Sequence, residues 1–115
     1  MFTENVTLGT SFSIVSKRGT RNIIPITGGT TSGRVAGKIL SGGADYQLNG
    51  LDARYTLSPS DTDFIIVRNC GPMGALVPEF ETRAGPYAFL NSNTYLSSDP
   101  GTGSGGVSIT FYERK

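Results

Sequence analysis

Apolar and polar residues alternate along most of this chain. Val6, Leu8, Thr10, Phe12 and Ile14 face one way while Thr7, Gly9, Ser11 and Ser13 face the other, and this period of two predicts one half-buried strand over residues 6–14. Lys17-Arg18-Gly19-Thr20 is a polar turn, and the β-branched run 22–26 reads as a short second strand whose Pro25 suits an edge or a bulge. Gly28-Gly29 ends it. A third strand is expected over 34–40 and, after the Gly42-Gly43 turn, a fourth over 44–48. Asn49-Gly50 is a hairpin signal, and beyond it Leu51, Ala53, Tyr55 and Leu57 alternate with Asp52, Arg54 and Thr56.

Residues 63–69 form the most apolar run, in which Phe64-Ile65-Ile66-Val67 predicts a strand buried on both faces at its centre. Residues 80–83 and 86–95 read as extended. Residues 97–106, nearly all Ser, Gly, Asp, Thr and Pro, read as a mobile connection to a last strand over 107–113. Eight or nine short strands with dense turns and no helix predict an all-β sandwich or barrel, and closure is the arrangement that removes exposed edges. One antiparallel, closed or nearly closed β-barrel domain over residues 1–115 is therefore expected.

Composition supports a turn-rich fold, with 16 glycines and only 17% charged residues. A net charge of +1 from scattered acids and bases leaves no electrostatic footprint for nucleic acid or anionic lipid. No apolar run approaches the roughly 20 residues of a membrane span, and Met1-Phe2-Thr3-Glu4-Asn5 lacks a signal-peptide pattern, so a cytoplasmic location is expected. The lone Cys70 fits a reducing compartment and reads as structural, because no histidine is present to activate it. Asn5-Val6-Thr7 matches a glycosylation acceptor by coincidence.

The missing histidine also removes the usual serine and cysteine triads and most zinc or iron sites. No metal and no cofactor are expected. Asp61 and Asp63 are too few for a calcium site, and the tract Gly101-Thr102-Gly103-Ser104-Gly105-Gly106 precedes a strand rather than a helix, unlike a phosphate-binding loop. What is left is a set of polar residues on strands: Asp45, Asp52, Arg54, Arg68, Tyr87 and Asn91. Asp52 and Arg54 share a face, which is either solvated or turned into a polar lumen. Arg68 ends the most apolar strand, where a charge needs a partner. A salt-bridged cluster of Asp45, Asp52, Arg54 and Arg68 in a barrel mouth is one arrangement that satisfies all four; a network that only fixes register is the other.

Six ordered runs carry a resemblance: Ile24-Pro25-Ile26-Thr27-Gly28-Gly29-Thr30, Gly42-Gly43-Ala44-Asp45-Tyr46, Leu51-Asp52-Ala53-Arg54-Tyr55-Thr56-Leu57, Val67-Arg68-Asn69-Cys70-Gly71, Phe80-Glu81-Thr82 and Tyr87-Ala88-Phe89-Leu90-Asn91. Together they resemble a family of small bacterial and fungal proteins, domain of unknown function 3237. The resemblance implies a β-barrel with an internal cavity, similar in shape to lipocalins or allene oxide cyclase, and no established activity. It makes Asp45, Asp52, Arg54, Arg68, Asn69, Tyr87 and Asn91 candidate pocket residues. Two departures stand out. Only residues 72–79 separate the Arg-Asn-x-Gly and Phe-Glu-Thr motifs, where family members carry a longer insertion, and Cys70 stands where a polar residue is common.

The functional expectation is a cofactor-independent isomerase, cyclase or lyase acting on a small, largely apolar metabolite, with secondary metabolism as the setting. Arg54 and Arg68 would hold an oxyanion, Asp45 or Asp52 would act as base, and Tyr87 would move a proton. Asn69, Asn91, Tyr55 and Phe89 would contact the substrate. A binding barrel without catalysis, or a structural protein forming a homo-oligomer such as a dimer, are the alternatives.

Overall fold

Every second side chain of the long strands points into one shared interior, and that alternation organises the molecule. The computed structural model describes residues 1–103 and 106–114. Its elements are β1 (Phe2–Leu8), β2 (Phe12–Ser16), β3 (Gly19–Gly33), β4 (Gly37–Ile39), β5 (Gly43–Gln47), β6 (Leu51–Ser58), β7 (Ile65–Gly71), β8 (Val77–Thr82), α1 (Phe89–Ser92), β9 (Tyr95–Ser97), β10 (Gly101–Gly103) and β11 (Gly106–Glu113). The strands form a single eleven-stranded antiparallel sheet, more strands than the eight or nine expected. Its path runs β10-β11-β1-β3-β4-β6-β7-β8, with β2 and β5 added beside β3 and β9 beside β11. No helix is long and apolar enough to cross a membrane among the described residues.

The extra strands come from breaks that alternation hides. The strand expected over 6–14 is two strands: β1 ends at Leu8, the Gly9 N–H donates to the Pro25 carbonyl at 2.8 Å, and the chain restarts as β2. Periodicity survives the break while the environment changes, since Val6 is buried and Phe12 and Ile14 are exposed. β3 is far longer than the 22–26 expected. One of its edges pairs with β2 up to Phe12↔Ile23 and then with β1 from Leu8↔Ile26. Pro25 sits where the two ladders part, a position that tolerates a missing N–H, and the register shift after Thr7 makes a bulge at Thr27. The strand expected over 34–40 shrinks to β4.

Three other expectations are corrected. β7 is buried on one face only: Ile65, Val67 and Asn69 point inward, whereas Phe64 and Ile66 are 50% and 51% exposed, because no second layer covers the outside of the curled sheet. Residues 86–95 contain the short helix α1 before β9. The connection over 97–106 is ordered at Gly101–Gly103, where β10 pairs with β11; Ser104 and Gly105 of that connection lie outside the described residues.

Inward side chains form one core that includes Phe2, Val6, Ile39, Tyr55, Leu57, Val67 and Phe111. At one end the rings of Phe2, Phe80, Tyr95 and Phe111 pack with centroids 4.9 to 5.8 Å apart, and Leu90 of α1 is buried with them. The ends of the sheet meet without a ladder between β8 and β9 among the described residues. Side chains bridge them instead. Asn91 of α1, the helix that leads into β9, accepts the Thr82 N–H and donates to the Thr82 carbonyl, both at 2.9 Å, and so ties α1 to β8. Asn69 donates to Ser97 Oγ at 2.9 Å, the Gly74 N–H donates to Asp99 at 2.8 Å, and Phe80 meets Tyr95 edge to face.

Candidate functional site

At the end opposite the aromatic cluster the interior is not filled. β1, β3, β5, β6 and β11 surround a cavity of about 70 Å³, with Pro100 at its rim. Its walls are apolar, among them Val6, Ile24, Ile26, Ala53, Val107 and Ile109. That space exceeds what one water needs and matches a small organic group. Three polar side chains break the apolar lining: Asp45, Gln47 and Tyr55.

Register explains their placement. Asp45 lies opposite Ala53, so it shares the inward face of β6 with Leu51 and Tyr55, and Gln47 follows two residues later on β5. The Asp45 carboxylate accepts the Asp52 N–H and the Gln47 side-chain amide, each at 2.9 Å. Burial raises its pKa, and the two hydrogen bonds oppose that shift.

Tyr55 reaches the floor of the cavity. Its hydroxyl donates to Glu4 Oε1 at 2.5 Å, and burial pushes the phenol pKa well above its ordinary value, with the nearby Glu4 and Asp45 carboxyls adding to the rise. Glu4 is fully buried on the inward face of β1, between Phe2 and Val6, and burial raises its pKa to about 8. At neutral pH it is therefore mostly the uncharged acid. Its other oxygen is buried without a hydrogen-bond partner. Sequence reasoning passed over Glu4; extending the alternation of Val6 and Leu8 back to Phe2 places it on the apolar face, and that was the available signal.

The cluster foreseen in the barrel mouth separates into an inner and an outer part. Asp45 is inside. Asp52, Arg54 and Arg68 project outward, and the two arginine side chains are 59% and 46% exposed. Asp52 gathers Arg21, Arg54 and Arg68 at 3.7, 3.8 and 3.6 Å on that outer face. The alternation that turns Ala53 and Tyr55 inward forces Asp52 and Arg54 outward. Asn69 is inward and fully buried, committed to Ser97. Tyr87, Phe89 and Asn91 gather at the far end, where Arg34 lies 4.1 Å from the Phe89 ring centroid, and none of them lines the cavity. Among the described residues no three His, Cys, Asp or Glu side chains come together as a metal site.

An antiparallel, predominantly β chain curled around an apolar cavity, with the Asp45 carboxyl and the Tyr55 phenol in its lining and Glu4 bonded to that phenol, belongs to the barrel-like class of small proteins. Within that class the chain belongs to the family described as Protein of unknown function (DUF3237), which matches residues 1–75. The last two of the six motifs, at 80–82 and 87–91, lie beyond the matched residues. A UPF0311 protein of Bradyrhizobium diazoefficiens is 32% identical, with 70% of this chain and 71% of that protein covered. Among solved structures, a beta-barrel like protein from Acinetobacter baumannii superposes with a TM-score of 0.84 at 26% identity over 98% of this chain and 92% of its own. A protein with unknown function from Clostridium acetobutylicum gives 0.85 at 25% identity over 100% and 97%.

Proposed function

We propose that the chain takes a small, largely apolar molecule into this cavity and acts on it by proton transfer, as a cofactor-independent isomerase, cyclase or lyase. The observation that carries the reading is Asp45, a carboxylate with a raised pKa at the rim of an otherwise apolar cavity. Partial burial makes such a carboxylate a stronger base than one in water. Each of its oxygens accepts one hydrogen bond and keeps a second lone pair for a substrate proton. In an isomerisation that proton moves from a carbon or hydroxyl of the substrate to Asp45 and returns to a different atom, leaving the enzyme unchanged. Gln47 and the Asp52 N–H hold the carboxylate in place, while Tyr55, hydrogen-bonded to the protonated Glu4, adds an uncharged polar group to the lining.

A binding barrel without catalysis is favoured by a different feature: most of the polar groups at the cavity are already paired within the protein, as in a container that asks little of its ligand. Asp45→Asn separates the two. Incubated with fractionated small-molecule extract, the native chain is expected to convert one component to a product of unchanged mass and new retention, or of lower mass for a lyase. Asp45→Asn is expected to lose at least about 100-fold of that rate, the size of a general-base effect, while still retaining the ligand. Retention with no conversion by the native chain would sink the catalytic reading and leave the container.

A further inference from the structure

We infer that the cleft on the outer face of β6 and β7 binds an oxyanion, the carboxylate or phosphate of a small molecule, between Arg21 and Arg68. This site is separate from the cavity and stands whether or not the cavity is catalytic. Three guanidinium groups, from β3, β6 and β7, converge on the single carboxylate of Asp52, leaving two positive charges uncompensated within the cluster. Glu79, the register partner of Arg68 on β8, makes no ion pair with it among the described residues.

The contacts to Asp52 do not use up the arginine donors. Nε of Arg54 and of Arg68 stand 3.8 and 3.6 Å from Asp52 Oδ1, beyond hydrogen-bond range, and that oxygen is shielded from solvent without a donor. Arg21 commits one nitrogen to the Tyr46 carbonyl at 2.7 Å and holds it 3.7 Å from Asp52 Oδ2. Asp52 thus gathers the guanidiniums by charge, and among the described residues their remaining N–H groups make no other hydrogen bond, which leaves them for a planar or tetrahedral anion of the kind arginine forks bind in pairs. The adjoining cleft has a volume of about 270 Å³ between Arg21, Asp52 and Arg68 on one side and Asn49, Gly71 and Pro72 on the other. Asn49, at φ 57° in the hairpin turn, and Gly71, at φ 134°, form part of its wall.

The test is a titration of the full chain with sodium phosphate and, separately, sodium acetate at constant ionic strength, following the arginine Nε–H signals by NMR. Saturable shifts of Arg21 and Arg68 are expected, with Arg83, which pairs with Asp63 at 2.8 Å, unmoved. Saturation by phosphate alone assigns a phosphate ester, by acetate alone a carboxylate, and by both the shared oxyanion chemistry. Arg68→Gln is expected to weaken binding about tenfold or more, as loss of a charge-assisted pair does, and Arg83→Gln to leave it unchanged. Should Arg68→Gln fail to fold, Arg68→Lys keeps the charge, loses the planar fork and is expected to bind more weakly than the native chain. Absence of saturation with both anions, or native affinity in a folded Arg68→Gln or Arg68→Lys variant, overturns the inference.

Discussion

Glu4 holds a proton at neutral pH because burial removes the water that would stabilise its charge, and the hydrogen bond from Tyr55 offsets only part of that loss. The consequence for stability has a definite sign. The unfolded chain releases the Glu4 proton near pH 4.5, the folded chain near pH 8, so between these values the folded state carries more protons and stability falls as pH rises. Asp45, also raised, acts in the same direction. Urea unfolding from pH 5 to 9 should show stability declining by up to about 1.4 kcal/mol per pH unit at its steepest and levelling above pH 8. Glu4→Gln, which keeps an acceptor for Tyr55, should flatten most of that slope and be the more stable chain at pH 8. Equal slopes in the two proteins would contradict the assignment. Nothing in the composition marks Glu4; only its phase relative to Phe2 and Val6 does, and a strand begun at Val6 leaves it out.

At the level of elements, β8 meets α1 and β9 through side chains rather than through a ladder among the described residues. Asn91→Ala removes both bonds to Thr82 and, since both are exposed and water can replace the lost partner, should cost about 0.5–1.5 kcal/mol, with faster hydrogen exchange at the Thr82 amide. Unchanged stability and exchange would mean that the bridge carries nothing. This position also shows where the sequence is hard to read. Asn91 stands out as a polar residue in an apolar segment and invites a pocket role, yet it lies on a helix of four residues, too short to leave a period of 3.6 in the pattern. By contrast the alternation from Leu51 to Leu57 is long enough to settle both faces of β6, and the structure keeps it.

For the molecule as a whole, alternation decides which residues point inward but not which end of the interior stays open. That is set by register: Phe2 opposite Phe111 fills one end, whereas Val6 opposite Val107 leaves room at the other. Asp45 was legible as a candidate, and its separation from Arg54 and Arg68 was not, since that depends on β5 pairing Asp45 with Ala53. The short connection after Gly71 is tied through the Gly74 N–H to Asp99, whose neighbour Pro100 lines the cavity. The central claim is that this cavity receives a small, largely apolar ligand. Its most direct test is methyl NMR of the chain titrated with cyclohexanone and with phenol. Saturable shifts are predicted for Val6, Ile24, Ile26, Val107 and Ile109, with Ile65 and Leu90 unmoved, and Ala53→Leu, which fills the space, should abolish them. Shifts that never saturate, or that persist in a folded Ala53→Leu chain, would contradict it.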